Sequence, residues 1–340
     1  MIDKAKNYIS TPKLILIVLA TEFGFSNVTT GYNQMGYASI IWYIICAAIF
    51  LFPLAMIFAE YSGALKKDHG GFYTWLINSF GEKWAFIGTF TWIGLWVINL
   101  LQNCSGLGIN ISGILFGKDV SQQWHLGPIN SNGIEAILGI IFIIIATYFA
   151  TKGVRKIAMT AVIAGVVSLT IIGLFIISSI IIAVANGHLA QPIYGVSSFI
   201  KSPNPAFQSP IAIMSFIIYA MFAYGGMESS SGFIDKMKHP QKQFPRAMIW
   251  VAIVETTLYI IGILICGLAT NWNKVMGRPG VNLYNNGFIL ISNLGVGLAH
   301  SFGGSVQTGL MIGGVLNRIL AIGSILPLIG LITFLIYSPV

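Results

Sequence analysis

Residues 222–232 read Phe-Ala-Tyr-Gly-Gly-Met-Glu-Ser-Ser-Ser-Gly, and this stretch decides the fold because it interrupts a long apolar run that begins at Ile211. Two adjacent glycines, a carboxylate and three serines therefore stand at a position expected to lie at membrane depth. Lipid offers no hydrogen bonds, so irregular or polar backbone survives there only where it lines a cavity within the protein. A helix broken at this point exposes carbonyl and amide groups, which predicts a binding site for a small polar solute.

The composition of the chain indicates an all-α, polytopic membrane protein. Of its 340 residues, 56% are hydrophobic and only 8% are charged, whereas soluble domains carry about 25% charged residues. The strands of a transmembrane β-barrel would alternate apolar and polar residues, but the apolar segments here run on for about 20 residues. The net charge of +8 is typical of basic cytoplasmic loops in membrane proteins, so we expect no nucleic acid partner.

Eight apolar segments are long enough to cross a bilayer, and they form a single transmembrane domain over residues 1–340. They lie at about residues 13–33, 37–60, 84–112, 133–151, 156–185, 210–232, 247–270 and 307–337. Residues 283–303 are apolar but rich in Asn and Gly, which favours an external loop with a short helix; a ninth span is the alternative.

The distribution of basic residues predicts the orientation of these spans. With the N-terminus inside, 13 of the 18 Lys and Arg residues fall in cytoplasmic segments and four in external loops, with Arg318 left inside a span. An excess of Lys and Arg on the cytoplasmic side is the rule for membrane proteins. We therefore expect a multi-pass protein of the cell membrane, surrounded by lipid bilayer, with a cytoplasmic N-terminus.

The first span carries a second interruption, since residues 24–30 read Gly-Phe-Ser-Asn-Val-Thr-Thr in what should be its middle. Spans one and six occupy equivalent positions if the fold consists of two five-helix units. Because five is odd, the second unit then starts from the opposite side of the membrane, as an inverted repeat. Paired interruptions at equivalent positions indicate a transporter site, although small residues also allow close helix packing.

Four ionisable residues within the spans are candidates for coupling or gating, because a charge at membrane depth costs about 2.5–3.5 kcal/mol on insertion scales. They are Glu22, Glu228, Glu255 and Arg318. Glu228 follows the second break, where it has either a functional role or a structural one as an acceptor for amides exposed by the break. Glu255 is a possible partner of Arg318 because their spans are neighbours in the sequence.

The sequence lacks the patterns of an enzyme or a metalloprotein. The five His residues are scattered among loops and helix ends, and no HExxH, GxSxG or Walker motif is present. The three cysteines lie in apolar segments without metal-type spacing, so we expect them to pack in the core. Most aromatic residues, Tyr219 among them, belong to interfacial belts or packing, whereas Tyr224 stands inside the break and is expected to cover a bound solute. We expect no cofactor, no metal and no catalysis.

Three parts of the chain resemble the amino acid–polyamine–organocation superfamily of secondary transporters, and within it the glutamate/GABA antiporter-like branch. Residues 222–228 are similar to the family's broken sixth helix, and residues 235–247 to the basic, Pro-containing loop that leads into helix seven. Residues 59–61, 70–75 and 84–88 look like the end of helix two, its re-entrant loop and the start of helix three. The resemblance implies a LeuT-like inverted repeat, with a first unit at about 13–185 and an incomplete second unit at about 210–340.

The resemblance also implies where a substrate binds and what the chain does. In the family, backbone amides of broken helix one hold an amino acid carboxylate, and carbonyls of broken helix six hold its amino group, as helix dipoles favour. The corresponding residues here are Gly24, Phe25, Ser26, Asn27, Val28, Phe222, Ala223, Tyr224, Gly225 and Gly226. The implied function is transport of an amino acid or related amine by alternating access, as antiport or proton symport.

Two features depart from the family pattern. The usual small, Gly-rich signature of helix one is replaced by residues 24–30, which leaves the type of substrate open. The family's fold continues for further helices beyond the eight expected here, so the second repeat would lack its last two. A truncated, non-transporting remnant of the fold, or a binding or partner subunit, is therefore the alternative function.

Overall fold

The computed structural model describes residues 8–64, 71–150, 154–227, 230, 234 and 237–337, which form α-helices and no β-strand. In chain order the helices are α1 (Thr11–Glu22), α2 (Phe25–Met35), α3 (Ser39–Cys46), α4 (Phe52–Ala64), α5 (Gly71–Phe80), α6 (Glu82–Ser105), α7 (Leu107–Phe116), α8 (Ser131–Ala150), α9 (Val154–Asn186), α10 (Ser197–Ile200), α11 (Pro210–Ala223), α12 (Pro240–Ala269), α13 (Trp272–Val275), α14 (Asn286–Ser301) and α15 (Val306–Tyr337). A 3-10 turn, Gly36–Ala38, joins α2 to α3, and a π-helical segment, Ala47–Leu51, joins α3 to α4. The prediction of an all-α protein is confirmed.

Several of these helices suit a bilayer. Within the described residues, five helical stretches are long and apolar enough to cross a membrane: Phe25–Ser62, Glu82–Phe116, Ser131–Tyr148, Pro240–Ala269 and Val306–Leu326. Two shorter apolar helices cover Thr170–Asn186 and Pro210–Ala223. A multi-pass membrane protein is thereby supported, while the count of eight spans and the inverted repeat stay predictions.

Helix α14 occupies the segment that the sequence assigns to an external loop with a short helix. Its 16 residues extend about 24 Å at 1.5 Å per residue, which is less than the roughly 30 Å of a hydrocarbon core. It packs along α15 and α9. Its length therefore favours the loop interpretation over a ninth span.

Helices α14 and α15 approach closely because glycines lie where they meet. A Cβ atom placed on Gly295 would lie 2.6 Å from the carbonyl oxygen of Gly309 and 2.6 Å from Cα of Gly313. Small residues let backbones approach in a membrane, where helix association depends on van der Waals packing. This contact has no room for a methyl group.

We expect Gly295→Ala to destabilise the protein by about 1–3 kcal/mol, the range for overpacked cores, because the new methyl group meets backbone. The melting temperature of the purified protein in detergent measures the effect. The control is Gly173→Ala in α9, where no atom lies within 4 Å of an added Cβ and alanine favours the helix by about 1 kcal/mol. Equal melting temperatures for Gly295→Ala and the unchanged protein would contradict the close packing.

Helix α12 lies at the centre of the helices that carry the breaks. It packs against α1, α2, α3, α4 and α9 and buries Val251, Glu255, Tyr259 and Ile263. Their spacing of four residues places these side chains along one face of the helix. Both halves of the interrupted first span, α1 and α2, therefore pack against α12.

Candidate functional site

The first break separates α1 from α2 by two non-helical residues, Phe23 and Gly24. Both have extended backbone, with φ −70° and ψ 112° at Phe23 and φ −107° and ψ 125° at Gly24. Helix α2 therefore starts anew at Phe25, and the first amides of a helix have no partner within it. Of these, the Asn27 amide donates to the Gly24 carbonyl at 3.0 Å. The partial positive charge at such a helix start favours an anionic group.

The second break follows α11, which ends at Ala223. The amides of Tyr224 and Gly225 still bond to carbonyls three residues back, at 3.2 and 2.9 Å, so the last turn tightens. Gly226 then has φ +130°, a backbone conformation that residues with a Cβ atom rarely adopt. The helix therefore ends where the sequence predicts, and Glu228 lies outside the described residues.

The two breaks lie against each other. A Cβ atom placed on Gly226 would lie 2.8 Å from Cγ of Glu22, the last residue of α1. The Glu22 side chain is buried. The structure thus brings the interruption of the first span next to the interruption of the sixth.

One side chain, the amide of Asn27, connects α2 with α11 and α12. Its Nδ2 donates a hydrogen bond to the Tyr259 hydroxyl at 3.0 Å, and its Oδ1 accepts one from the Tyr219 hydroxyl at 3.0 Å. Its backbone carbonyl accepts a third from the Tyr43 hydroxyl of α3 at 3.1 Å. Asn27 on α2 therefore bonds to residues on three other helices. We call Asn27 and its hydrogen bonds to Tyr43, Tyr219 and Tyr259 the Asn27 junction.

All four tyrosines around the breaks donate their hydroxyl hydrogen to a protein oxygen. Tyr43 and Tyr219 donate to Asn27, Tyr259 donates to the Ala223 carbonyl at 2.9 Å, and Tyr224 donates to the Tyr43 carbonyl at 3.1 Å. The Ala223 carbonyl is one of the groups expected to hold an amine. In this arrangement a protein hydroxyl binds it instead.

Aromatic rings close the space around the breaks. Tyr43 stacks on Tyr259 with ring centroids 4.8 Å apart, and Tyr224 meets these two rings edge-on at 5.8 and 5.3 Å. All three side chains are fully buried. Phe23, within the first break, packs on Tyr259 at 5.1 Å. This is a closed arrangement, in which Tyr224 covers the second break.

Several residues of the predicted site do not present a side chain to the space between the two breaks. Phe222 is 52% exposed, and Gly225 and Ser26 are also exposed. Val28 is buried against α12, and Phe25 packs on an aromatic ring of α9 at 5.1 Å. Any contribution of Phe222 and Gly225 to binding would therefore come from their backbone groups.

Two threonines of α2 bind to α14, a contact that sequence reasoning missed. The Thr29 hydroxyl donates to Oδ1 of Asn286 at 2.9 Å, and Nδ2 of Asn286 donates to the Thr30 hydroxyl at 3.2 Å. All three residues are buried. The only sign of this contact in the sequence was the presence of Thr29 and Thr30 at membrane depth. From the sequence, both are interpreted as part of the break in the first span.

Arg318 lies at the C-terminal end of α7 and not beside Glu255. Its Nη2 donates to the Leu115 carbonyl at 3.3 Å, and the neighbouring Asn317 donates to the Gly117 carbonyl at 3.1 Å. The last carbonyls of a helix lack partners within it, and cationic and amide side chains satisfy them. The predicted Glu255–Arg318 pair is wrong, because neither carboxyl oxygen of Glu255 has a hydrogen-bond partner in the described part of the chain.

Two cavities of the protein lie away from the breaks. With volumes of about 290 and 380 Å³, they open near the end of α2, and both are lined by Pro203, Trp272 and Asn273. Asn33, which lines the larger one, is six residues beyond Asn27 and so about 9 Å along the helix. Among the described residues, no three His, Cys, Asp or Glu side chains gather as a metal site.

Comparison with known proteins finds a match to the amino acid permease family model over residues 9–339. The chain is 35% identical over 327 residues to the inner membrane transporter YjeM of Escherichia coli, an alignment that covers 96% of this chain and 65% of YjeM. Two similar proteins of Lactococcus lactis are the probable agmatine/putrescine antiporter AguD and the glutamate/gamma-aminobutyrate antiporter. AguD is 26% identical over 282 residues, covering 82% of this chain and 55% of AguD. The glutamate/gamma-aminobutyrate antiporter is 25% identical over 254 residues, covering 71% of this chain and 47% of that protein.

Proposed function

Because this chain belongs to the amino acid permease family, we propose that it carries an amino acid or a related amine across the cell membrane by alternating access. The substrate sits between the break in the first span and the break in the sixth. Transport is antiport or proton symport. The observation that carries the proposal is the contact between the two breaks, at Gly226 and Glu22, together with the Asn27 junction that closes over them.

The groups at the two breaks suit the two ends of an amino acid. First-turn amides of α2, in the segment from Gly24 to Val28, bind the carboxylate, for which the start of a helix is favourable. The Ala223 carbonyl, with those of Phe222 and Tyr224, binds the amino group. For the ammonium to reach Ala223, it displaces the Tyr259 hydroxyl that now bonds there. Substrate binding and opening of the Asn27 junction are thereby linked.

The proposed architecture is the LeuT-like inverted repeat. Helices α1 to α9 supply five spans of the first unit, and α11 to α15 supply three spans of the second. The N-terminus lies in the cytoplasm, as the excess of basic residues on that side favours. Glu22, which lies beside Gly226, and Glu228, which follows the second break in the sequence, act as coupling or gating residues. Arg318 acts on gating through the end of α7 that it binds.

The names of the relatives suggest the substrate class. One is a probable agmatine/putrescine antiporter, one an aspartate/glutamate permease and one a glutamate/gamma-aminobutyrate antiporter. Every compound in these names carries an amino or guanidino group. An amine is therefore the feature that we propose the substrate of this chain to share.

A second candidate is a binding or partner subunit that retains the fold without transport. The chain spans 65% of the length of YjeM and about half that of the two antiporters. Such a subunit would bind the substrate between the two breaks without carrying it across the membrane.

Uptake by the purified protein in liposomes tests the proposal. The labelled probes are glutamate, aspartate, gamma-aminobutyrate, putrescine and agmatine, and liposomes without protein are the control. We expect at least one probe to enter faster than in the control and to exchange with unlabelled probe inside. Binding of a probe without uptake would favour the subunit, and neither binding nor uptake by folded protein would contradict the transport proposal.

A further inference from the structure

Glu255 is a carboxyl group in the middle of the most central helix, and it is 0% exposed. It is the sixteenth of the 30 residues of α12. Within the described part of the chain, neither Oε1 nor Oε2 has a hydrogen-bond partner. A buried carboxylate without partners costs several kcal/mol, so its surroundings decide its state.

The hydroxyl groups around Glu255 donate to backbone carbonyls in the closed arrangement. Tyr259, one turn away on the same face of α12, gives its only hydroxyl hydrogen to the Ala223 carbonyl. Tyr224 gives its hydrogen to a carbonyl of α3, and Thr256 gives its hydrogen to the Ala252 carbonyl at 2.8 Å. An ionised carboxylate only accepts hydrogen bonds, and the hydrogens of these three groups are directed to other acceptors.

No described cation offsets a charge at this position. The titratable side chains on the helices packed against α12 are Lys13 and Glu22 on α1, Tyr32 on α2, Tyr43 and Cys46 on α3, Glu60 and Tyr61 on α4, Arg155 and Lys156 on α9 and His300 on α14, with Tyr37 on the 3-10 turn. On α12 itself they are Lys242, Arg246, Tyr259 and Cys266, and Tyr224 caps α11. Lys13, Lys242, Arg246 and His300 are exposed, and the side chains of Arg155 and Lys156 lie outside those described.

We propose that Glu255 is a proton-binding site, which holds a proton while the Asn27 junction is closed and releases it to water when an amine opens the junction. The inference rests on the proposed function. The amine takes the Ala223 carbonyl, and the displaced Tyr259 hydroxyl then turns its hydrogen toward the carboxylate one turn away. One ammonium group binds at Ala223 as one proton leaves Glu255, so proton and amine compete and the exchange is antiport.

An infrared experiment tests the protonation of Glu255 without any substrate. We expect the wild-type protein in lipid to show a carbonyl stretching band of protonated carboxyl groups that loses a component in Glu255→Gln. Glu60→Gln is the control, because the Glu60 carboxyl is exposed, and Glu255→Asp should keep the component at a shifted frequency. Identical carboxyl bands in the wild type and Glu255→Gln would overturn the proposal, whether or not the protein transports.

Proton release on binding tests the coupling. In weakly buffered solution with a pH dye, saturating putrescine or agmatine should release about one proton per molecule bound by the wild type and none from Glu255→Gln. In liposomes, a pH gradient should accelerate uptake of the same probe by the wild type and leave uptake by Glu255→Gln unaffected. Equal proton release from both proteins would overturn the coupling. If neither probe binds, the proposed function is contradicted for these amines, and the infrared result alone decides whether Glu255 is protonated.

Discussion

Gly226→Ala is expected to destabilise the closed arrangement by about 1–3 kcal/mol, because alanine rarely adopts the φ of +130° that Gly226 has. The added methyl group would also lie 2.8 Å from Cγ of Glu22. A loss of this size corresponds to roughly 5- to 150-fold fewer molecules in the closed arrangement. We expect a lower melting temperature of the purified protein and a matching loss of uptake in liposomes.

The matched control for Gly226→Ala is Gly94→Ala in α6. No atom lies within 4 Å of a Cβ atom added at Gly94, and the residue has an ordinary helical backbone. We expect its melting temperature to stay the same or rise, since alanine favours a helix by about 1 kcal/mol over glycine. If both variants were as stable as each other, the second break would not depend on glycine.

Asn27→Ala is expected to have the second large effect. The change removes both side-chain hydrogen bonds of the Asn27 junction and leaves the half-buried Tyr219 hydroxyl without its acceptor. A buried polar group that loses its partner costs about 1–3 kcal/mol. We therefore expect a drop in melting temperature and a loss of uptake of roughly tenfold or more, since tenfold corresponds to 1.4 kcal/mol.

The control for Asn27→Ala is Asn103→Ala, whose exposed amide bonds only to Asn99 on its own helix. Its stability should stay within about 0.5 kcal/mol of the wild type, as for most surface changes. A double-mutant cycle of Asn27→Ala with Tyr219→Phe should give a coupling of about 0.5–3 kcal/mol. Additive effects of the two changes would show that the bond between them carries no energy.

Composition and local pattern were sufficient to predict the class of the protein and the place of the breaks. Lipid penalises polar backbone so strongly that the glycines at 225 and 226 and the polar run at 24–30 are hard to reconcile with unbroken helices. The helix ends at Glu22 and Ala223 agree with those predictions. The family model confirms the resemblance, and the similar proteins are named as transporters and antiporters.

Contacts between distant parts of the chain could not be predicted in the same way. Asn27 and Tyr259 are 232 residues apart, and a tyrosine within an apolar run gives no sign of which helix it will face. The predicted pair of Glu255 and Arg318 was wrong for a related reason. Two spans that are consecutive in the sequence need not pack with these two side chains facing each other. Arg318 satisfies carbonyls of α7, and no charge pattern in the sequence points to a backbone acceptor.

The Asn27 junction also bears on how fast the protein can change state. Because four helices meet on one residue, moving any one of them breaks a bond that another helix needs. A half-open form would leave polar groups unsatisfied at about 1–3 kcal/mol each. Under the proposed alternating access we therefore expect sparsely populated intermediates and an all-or-none change. Turnover is then expected to be limited by this activation barrier and not by encounter with substrate, and to rise steeply with temperature.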